Sequence, residues 1–242
     1  MQPNWRTRRD RTLLGAHHLT RWRVPLDGQE YVHGWGVFAL PFSSGHVLAL
    51  RVFADNSFRR PYVAVWHRDP AGDWSIYVEG APLDEACPRY FGAVCTHTAN
   101  ADIEVTQITP STVQVRMADP ALDWTLSTRA GPALRTANAV SRRLPAASWR
   151  PRAMVRMREL LARALGAGRI ELDGVMPSGH HGRLMPEEML LVDDATATLD
   201  GVDLGSPVRL EENPHIGGFP LPARGILVKG GAVWDVDSRP VQ

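Results

Sequence analysis

The chain has 242 residues, of which 44% are hydrophobic and 22% are charged. This composition is typical of a soluble globular protein and excludes a disordered, collagen-like or membrane-embedded chain. With 27 basic against 26 acidic residues the formal net charge is +1, so no overall charge favours nucleic acid or an anionic membrane surface as a partner. A chain of this length can form one large β domain or two smaller units that share an interface.

Residues 1–30 form a basic N-terminal extension. Its pair Arg8-Arg9 invites comparison with a twin-arginine export signal, but such a signal requires an uninterrupted apolar stretch, which His17 and Arg21 interrupt. No other segment of the sequence has the length and apolarity of a membrane span. We therefore expect a cytoplasmic protein without a membrane span.

Apolar or alternating runs separated by turn residues extend over residues 31–130, a pattern typical of an antiparallel β meander. The clearest hairpin joins residues 62–67 to residues 74–79 through the loop 69–73, whose proline and glycine favour a tight turn. Further strands with alternating apolar and polar residues are predicted at 102–108, 112–117 and 122–128. Each of these strands should have one buried and one solvent-exposed face.

Residues 131–168 are predicted to form a connection followed by one amphipathic α-helix near residues 151–165. Methionine, leucine and alanine side chains from Met154 to Leu165 recur at helical spacing, while arginine and glutamate occupy the opposite face. Pro151 suits the first turn of this helix, and Gly166 suits its end. We expect the methionine and leucine face to cover a β core and the arginine face to be solvated.

Residues 169–242 are predicted to form a second β segment that packs with the first. Strand signals occur at 169–172, 189–192 and 195–199. Near the end of the chain, Gly230-Gly231 separates two apolar runs and is predicted to form a two-residue hairpin loop.

The predicted fold class is therefore mostly β, an antiparallel meander that forms a barrel or a paired-sheet structure, with one amphipathic α-helix. A meander followed by a helix resembles the lipocalin-like barrels in arrangement only, and the chain has no lipocalin sequence signature. A likeness of arrangement does not assign a function.

The two cysteines, Cys87 and Cys95, are too few for a disulfide framework. Their spacing also differs from the tight arrangement of a structural zinc site. In a reducing compartment such cysteines remain thiols. We therefore predict that both are free in the native protein.

The sequence contains no pattern that predicts a metal or nucleotide cofactor. The segment His33-Gly34-Trp35-Gly36 lacks the strand-then-helix setting of a phosphate-binding glycine loop. The pairs His17-His18 and His180-His181 would each supply at most one metal ligand if extended, because neighbouring side chains of a strand point in opposite directions. We expect neither a metal ion nor another cofactor.

The densest group of candidate functional residues lies around the predicted hairpin. His67 closes a strand and could project a titratable ring into the mouth of a β structure. Arg89 and Tyr90 would add a forked donor and a phenol. Several tryptophans occupy inward-looking or strand-end positions, among them Trp35, Trp66, Trp74 and Trp124, and tryptophans either fill cores or line apolar cavities. The predicted ligand-binding set is therefore Trp35, Trp66, His67, Arg89 and Tyr90.

A structural interpretation of the same residues stays open. His67 could be a hairpin-end residue hydrogen-bonded to its loop, and Arg89 could pair with a nearby carboxylate such as Asp84 or Glu85.

Two functional hypotheses follow from these residues. The favoured one is a protein that binds a small apolar or amphipathic molecule in an aromatic-lined β cavity, with His67, Arg89 and Tyr90 orienting any polar end. The alternative is a cofactor-independent enzyme of the isomerase, cyclase or hydratase type, with His67 as acid or base and Tyr90 as hydrogen-bond donor. An interaction module without a pocket is a third possibility, and the sequence leaves the oligomeric state open.

Overall fold

The computed structural model describes residues 29–236, except for the side chain of residue 146. The predicted extension 1–30, with its arginine pair and His17-His18, lies almost wholly outside the described residues. In chain order the strands are β1 (Gln29–Pro41), β2 (Val47–Asn56), β3 (Tyr62–Arg68), β4 (Trp74–Glu79), β5 (His97–Asn100), β6 (Ile103–Thr109), β7 (Thr112–Met117), β8 (Leu122–Arg129), β9 (Asp173–Val175), β10 (His181–Leu199), β11 (Val202–Asp203), β12 (His215–Ile216), β13 (Phe219–Pro220) and β14 (Ile226–Asp235). The α-helices are α1 (Pro88–Phe91), α2 (Pro132–Ser141) and α3 (Arg152–Ala162).

One large sheet, curled into a half-barrel, contains all the strands except β12 and β13. Its strands follow the order β5-β4-β3-β2-β1-β14-β10-β8-β7-β6, and β9 and β11 pair with β10. Neighbouring strands are antiparallel except β4 and β5, which are parallel. The 19-residue strand β10 pairs with β14 along its first half and with β8 along its second, so it joins the two parts of the sheet, β5 to β14 and β8 to β6. The predicted class, mostly β with a helix, is confirmed.

The inner face of the curled sheet is filled by a single cluster of apolar side chains, which we call the inner core. It brings β2 and β3 against β6, β7 and β8, because alternate residues of each strand point into the curl. Its members include Val37, Leu48, Leu50, Val63, Val65, Ile103, Val105, Val113, Val115, Trp124 and Leu126.

A second cluster, the outer core, lies on the opposite face of β1 to β4. Here the sheet is covered by the segment that carries α1 and by the loops around β12 and β13. Its members include Ala49, Tyr62, Ala64, Trp66, Trp74, Ile76, Cys87, Tyr90, Phe91, Met176, Ile216, Phe219 and Trp234.

The hairpin predicted in the first half is present as β3 and β4. The Asp69 carboxylate accepts hydrogen bonds from the backbone N–H groups of Gly72 (2.8 Å) and Asp73 (2.9 Å). Gly72 has a φ of 107°, a backbone conformation that favours glycine. The three alternating strands predicted between residues 102 and 128 are also present, as β6, β7 and β8.

The prediction of a two-residue hairpin loop at Gly230-Gly231 is wrong, because both residues lie inside the continuous strand β14. Gly230 has a φ of 150°, and a Cβ atom there would lie 2.3 Å from the carbonyl oxygen of Met185. Glycine is therefore needed at this position for the close approach of β10, and the chain does not turn.

Residues predicted as a plain connection contain the helix α2. The side chain of its buried Asn138 donates to the carbonyl oxygen of Met189 (2.8 Å) and accepts from the N–H of the same residue (3.0 Å). This helix is attached to β10 partly through a buried amide, a contact that hydrophobic periodicity does not reveal.

The predicted amphipathic helix is present as α3, but the prediction that its methionine and leucine face covers a β core is wrong. Leu160 is 67% exposed and Leu161 is 49% exposed, whereas Val155 is only 2% exposed. The helix contacts the rest of the chain through Val155 and through Glu159, whose carboxylate accepts a hydrogen bond from the N–H of Leu172 at 2.8 Å. The sequence pattern identifies an apolar face but not the element that would cover it. None of the helices in residues 29–236 is long and apolar enough to span a membrane.

The contact face of α3 can be tested with two matched substitutions. Val155→Asp places an unpaired carboxylate in an apolar environment and should lower the free energy of unfolding by about 3 kcal/mol or more. Leu161→Asp, on the exposed face, should change it by about 0.5 kcal/mol or less. Urea unfolding of both variants measures the difference, and a larger loss for Leu161→Asp would contradict the observed packing.

Candidate functional site

An apolar pocket, which we call the aromatic pocket, lies on the outer face of the sheet between β1, β2 and β14 on one side and the covering segment with α1 on the other. Its walls are formed mainly by aromatic and aliphatic side chains together with backbone atoms of glycine. The lining residues are Gly34, Trp35, Gly36, Phe38, Arg51, Phe53, Tyr62, Trp66, Cys87, Tyr90, Phe91, Met176, Leu184, Phe219, Leu221, Val228, Gly230, Gly231, Ala232 and Trp234.

The aromatic pocket is narrow. Its cavity volume is about 60 Å³. A smaller cavity of about 20 Å³ lies beside it and shares Phe38, Leu184, Phe219 and Val228 as lining residues. A space this small limits a ligand to a flat ring or a slender chain.

The floor of the pocket is formed by facing glycines of two neighbouring strands. Gly34 of β1 is in register with Gly230 of β14, and His33 is in register with Gly231. A Cβ atom at Gly230 would lie 2.3 Å from the carbonyl oxygen of Met185, so glycine there lets β14 lie close to β10 beneath the pocket. Gly34 also allows β1 to lie close to β2, since a Cβ atom there would lie 1.9 Å from the carbonyl oxygen of Val52.

Arg51 is a charged residue that lines this apolar pocket, and it is only 6% exposed. Its Nη1 donates to the carbonyl oxygens of Val37 (2.6 Å) and Leu50 (2.9 Å), and its Nη2 donates to that of Phe38 (3.3 Å). The guanidinium carbon lies 4.5 Å from the ring centre of Phe38 and 4.6 Å from that of Trp66, so the group is held between two aromatic rings.

The ionisation of the polar groups in the pocket is set mainly by burial. Burial lowers the pKa of Arg51 to about 10, which keeps the guanidinium charged at neutral pH. The Tyr62 hydroxyl and the Cys87 sulfur lie 3.6 Å apart. Burial raises the pKa of both the Tyr62 phenol and the Cys87 thiol, so both remain neutral at pH 7.

Tyr90 lines the pocket with its ring, while its hydroxyl is engaged elsewhere. The ring stacks on Trp234 at a centroid distance of 4.7 Å, and the hydroxyl donates a hydrogen bond to Glu30. Burial and this hydrogen bond raise the pKa of Tyr90. Arg89 forms an ion pair with the same carboxylate at 2.9 Å, instead of with Asp84 or Glu85. Its guanidinium is not among the described groups that line the pocket.

His67 lies at the end of β3, apart from the residues that line the aromatic pocket. Its Nε2 is 2.8 Å from Nδ1 of His46, and the two rings are stacked with centroids 5.0 Å apart. Burial, followed by the charge of His46, lowers the pKa of His67 to about 4. The ring is therefore neutral at pH 7 and bonded to another side chain.

The structure thus brings together three of the five predicted ligand-binding residues, Trp66, Tyr90 and Trp35, although Trp35 also belongs to the inner core. The lining residues with polar or thiol side chains that sequence reasoning missed are Arg51, Tyr62, Cys87 and Trp234. Arg51 carries the one usable signal, since it is a charged residue within the otherwise apolar run 47–53.

The other candidate ligand groups are also placed. His180 is bonded through Nδ1 to the Ser178 hydroxyl at 2.8 Å, whereas His181 lies 3.5 Å from Asp173. Among residues 29–236 no group of three or more His, Cys, Asp or Glu side chains is arranged to hold a metal ion. Cys87 and Cys95 are not joined by a disulfide.

No protein-family model matches the chain, and no curated protein is similar to it. Among solved structures the chain is similar to an AttH-like protein from Nitrosomonas europaea, with 12% sequence identity and a TM-score of 0.31. The similarity covers 99% of this chain and 60% of that one, so this chain spans less than two thirds of the length of that protein. At this level the likeness does not bear on the pocket or its ligand.

The environment of His67 predicts a specific pH dependence of stability. Because its pKa in the folded protein, about 4, is below the ordinary value of 6.5, the unfolded chain takes up a proton that the folded protein does not as the pH falls below 6.5. The wild-type free energy of unfolding should therefore fall by about 1 to 3 kcal/mol between pH 6.5 and pH 4 on account of this residue, allowing for its partial exposure.

Chemical denaturation of the wild type and of His67→Gln at both pH values measures this contribution as the difference between the two slopes. Equal slopes for the wild type and His67→Gln would show that His67 titrates as it does in the unfolded chain.

Proposed function

We propose that this protein binds a small apolar or amphipathic molecule in the aromatic pocket. The observation that carries the proposal is a cleft lined by Phe, Tyr and Trp rings that also contains one buried charged side chain, Arg51. Ligand sites in proteins are concave, mostly apolar and contain a few polar groups that fix the orientation of the ligand. The pocket has each of these properties.

The titratable groups in the pocket favour binding over catalysis. An efficient general acid or base has a pKa near the working pH. The titratable lining residues among those described are Arg51, Tyr62, Cys87 and Tyr90. The pKa of Arg51 is about 10, and those of the other three are raised by burial, so none is tuned for proton transfer at pH 7. The enzyme hypothesis also relied on His67, which lies apart from these residues.

Binding would place a ligand against several aromatic faces. The ring of Trp66 packs against Phe91 at 4.7 Å, and Trp234 stacks on Tyr90, so both indoles form part of the wall. Flat apolar ligands gain both from burial of surface and from ring contacts with such walls. Contact of a ligand with these two buried indoles should change their fluorescence emission.

The proposal can be tested with N-phenyl-1-naphthylamine, a neutral, flat probe that fluoresces in apolar surroundings. We expect saturable binding with transfer of excitation from tryptophan. The variant Ala232→Leu inserts a larger side chain into the pocket wall, because Ala232 is a buried lining residue, and should abolish this binding.

A matched control separates filling of the pocket from general overpacking. Ala197 is similarly buried but belongs to the inner core, so Ala197→Leu should cost a comparable 1 to 3 kcal/mol or so of stability while leaving probe affinity unchanged. Absence of saturable probe binding to the wild type, or equal binding by Ala232→Leu, would falsify the proposed site.

A further inference from the structure

The guanidinium of Arg51 has hydrogen-bonding capacity that the described residues do not use. An arginine side chain carries five N–H donors. Two donors on Nη1 and one on Nη2 bond to backbone carbonyl oxygens. Within residues 29–236 the Nε–H and the second Nη2–H have no such acceptor, and the side chain lines the aromatic pocket.

The charge of Arg51 is also without an acidic partner among the described residues. The groups that act on it electrostatically are Cys87 and Tyr62, and neither is ionised at neutral pH. Backbone carbonyls and aromatic rings reduce the cost of burying the charge, but they do not neutralise it. A buried cation in apolar surroundings attracts an anion much more strongly than an exposed cation does.

Two indole groups add further donors to the same pocket. Trp234 Nε1 is buried and has no hydrogen-bond partner among the described residues, whereas the buried Trp66 Nε1 has only the thiol of Cys87, a weak acceptor, as its neighbour. A buried donor without an acceptor is unfavourable and calls for an explanation. Trp124 Nε1 in the inner core is also without a described partner, so an unpaired indole alone does not identify a ligand site. The indoles support the inference, and the guanidinium carries it.

Resting on the proposed function, we propose that the ligand is an amphipathic monocarboxylate whose carboxylate is bound by Arg51 and whose apolar body occupies the aromatic pocket. The two remaining N–H donors of the guanidinium match the two oxygens of a carboxylate, which arginine binds through paired hydrogen bonds. A phosphate group carries more charge and more acceptor oxygens than this narrow, apolar space can satisfy. The small volume of the pocket limits the size of the apolar body.

The inference distinguishes two ligands of the same shape. 2-Naphthoate carries the carboxylate, and 2-naphthamide is its neutral counterpart. Both should displace N-phenyl-1-naphthylamine from the wild-type protein at pH 7. We expect naphthoate to bind about ten- to a hundredfold more tightly, because its negative charge pairs with the guanidinium and its two oxygens accept both N–H groups, whereas the neutral amide has a single acceptor oxygen.

Substitution of Arg51 should remove this preference without closing the pocket. Arg51→Met keeps a long apolar side chain and should bind naphthoate and naphthamide equally, while it still binds the neutral probe. Arg51→Lys keeps the positive charge but loses the paired N–H donors of the guanidinium. It should therefore prefer naphthoate to naphthamide only about severalfold.

Arg158 provides the control, because its guanidinium also lies on an indole, 3.8 Å from the ring centre of Trp149, and also donates to a backbone carbonyl, that of Ser148 (2.9 Å). It is not among the described residues that line the pocket. Arg158→Met should therefore keep the wild-type preference for naphthoate.

The outcomes separate the two proposals. If the wild type does not bind the neutral probe, the proposed function is wrong. If it binds the probe but does not prefer naphthoate to naphthamide, or if Arg51→Lys and Arg51→Met retain the full preference, the pocket is a binding site and the carboxylate inference is wrong. Should Arg51→Met not fold, the wild-type comparison and Arg51→Lys decide the matter.

Discussion

The close approach of β1 to its neighbours is the constraint on which the aromatic pocket depends. Gly34 and Gly36 bring β1 so near to β2 that a Cβ atom on either residue would overlap a carbonyl oxygen of β2. The register of this pair shifts between Val37 and Leu40, and the carbonyl oxygens of Val37 and Phe38 at this irregularity accept hydrogen bonds from Arg51. A buried cation can therefore lie on this face because a distorted strand supplies acceptors for part of its guanidinium.

The two faces of the sheet differ for related reasons. On the inner face, branched and aromatic side chains alternate regularly and the curl of the sheet packs them together, which leaves a filled core. On the outer face, the glycines of β1 and β14 contribute no side chains. The covering element there is not a regular layer but a short helix and loops. The irregular cover leaves space that the inner core lacks, so the pocket lies outside the curl of the sheet.

Residues near one another in sequence account for most of what could be predicted. The β3–β4 hairpin follows from its loop, in which Asp69 bonds the backbone of the turn, and β6 to β8 follow from strict alternation. Both signals are local, because turn chemistry and period depend on a few consecutive residues. The exposed face of α3 could not be predicted, because a helical pattern does not specify what packs against it. Gly230 was misinterpreted for the same reason: glycine is needed there because the carbonyl oxygen of Met185, on another strand, lies too close for a Cβ atom.

The candidate site was predictable only in part, because its chemistry depends on contacts between distant segments. Tyr90 and Trp66 were recognised as aromatic groups, but the sequence does not show that the Tyr90 hydroxyl is bonded to Glu30, about 60 residues away along the chain. His67 and Tyr90 were expected to converge, yet the ends of β3 and α1 place them in different environments. The sequence does not show that Arg51 lies between the rings of Phe38 and Trp66, nor that it has no acidic neighbour among the described residues.

Helix α1, which covers the pocket, is held in place by an ion pair and a hydrogen bond to Glu30. Helix α1 has only four residues, too few to be stable by itself, so its position depends on its contacts. Glu30 on β1 accepts from Tyr90 and pairs with Arg89, which ties this helix to the strand that forms the floor. The Glu30 side chain is 13% exposed, and an ion pair at such a site is stronger than one on an open surface. Arg89 and Glu30 neutralise each other at the cover, whereas Arg51 at the floor keeps its charge, and this difference directs an anion to the floor of the pocket.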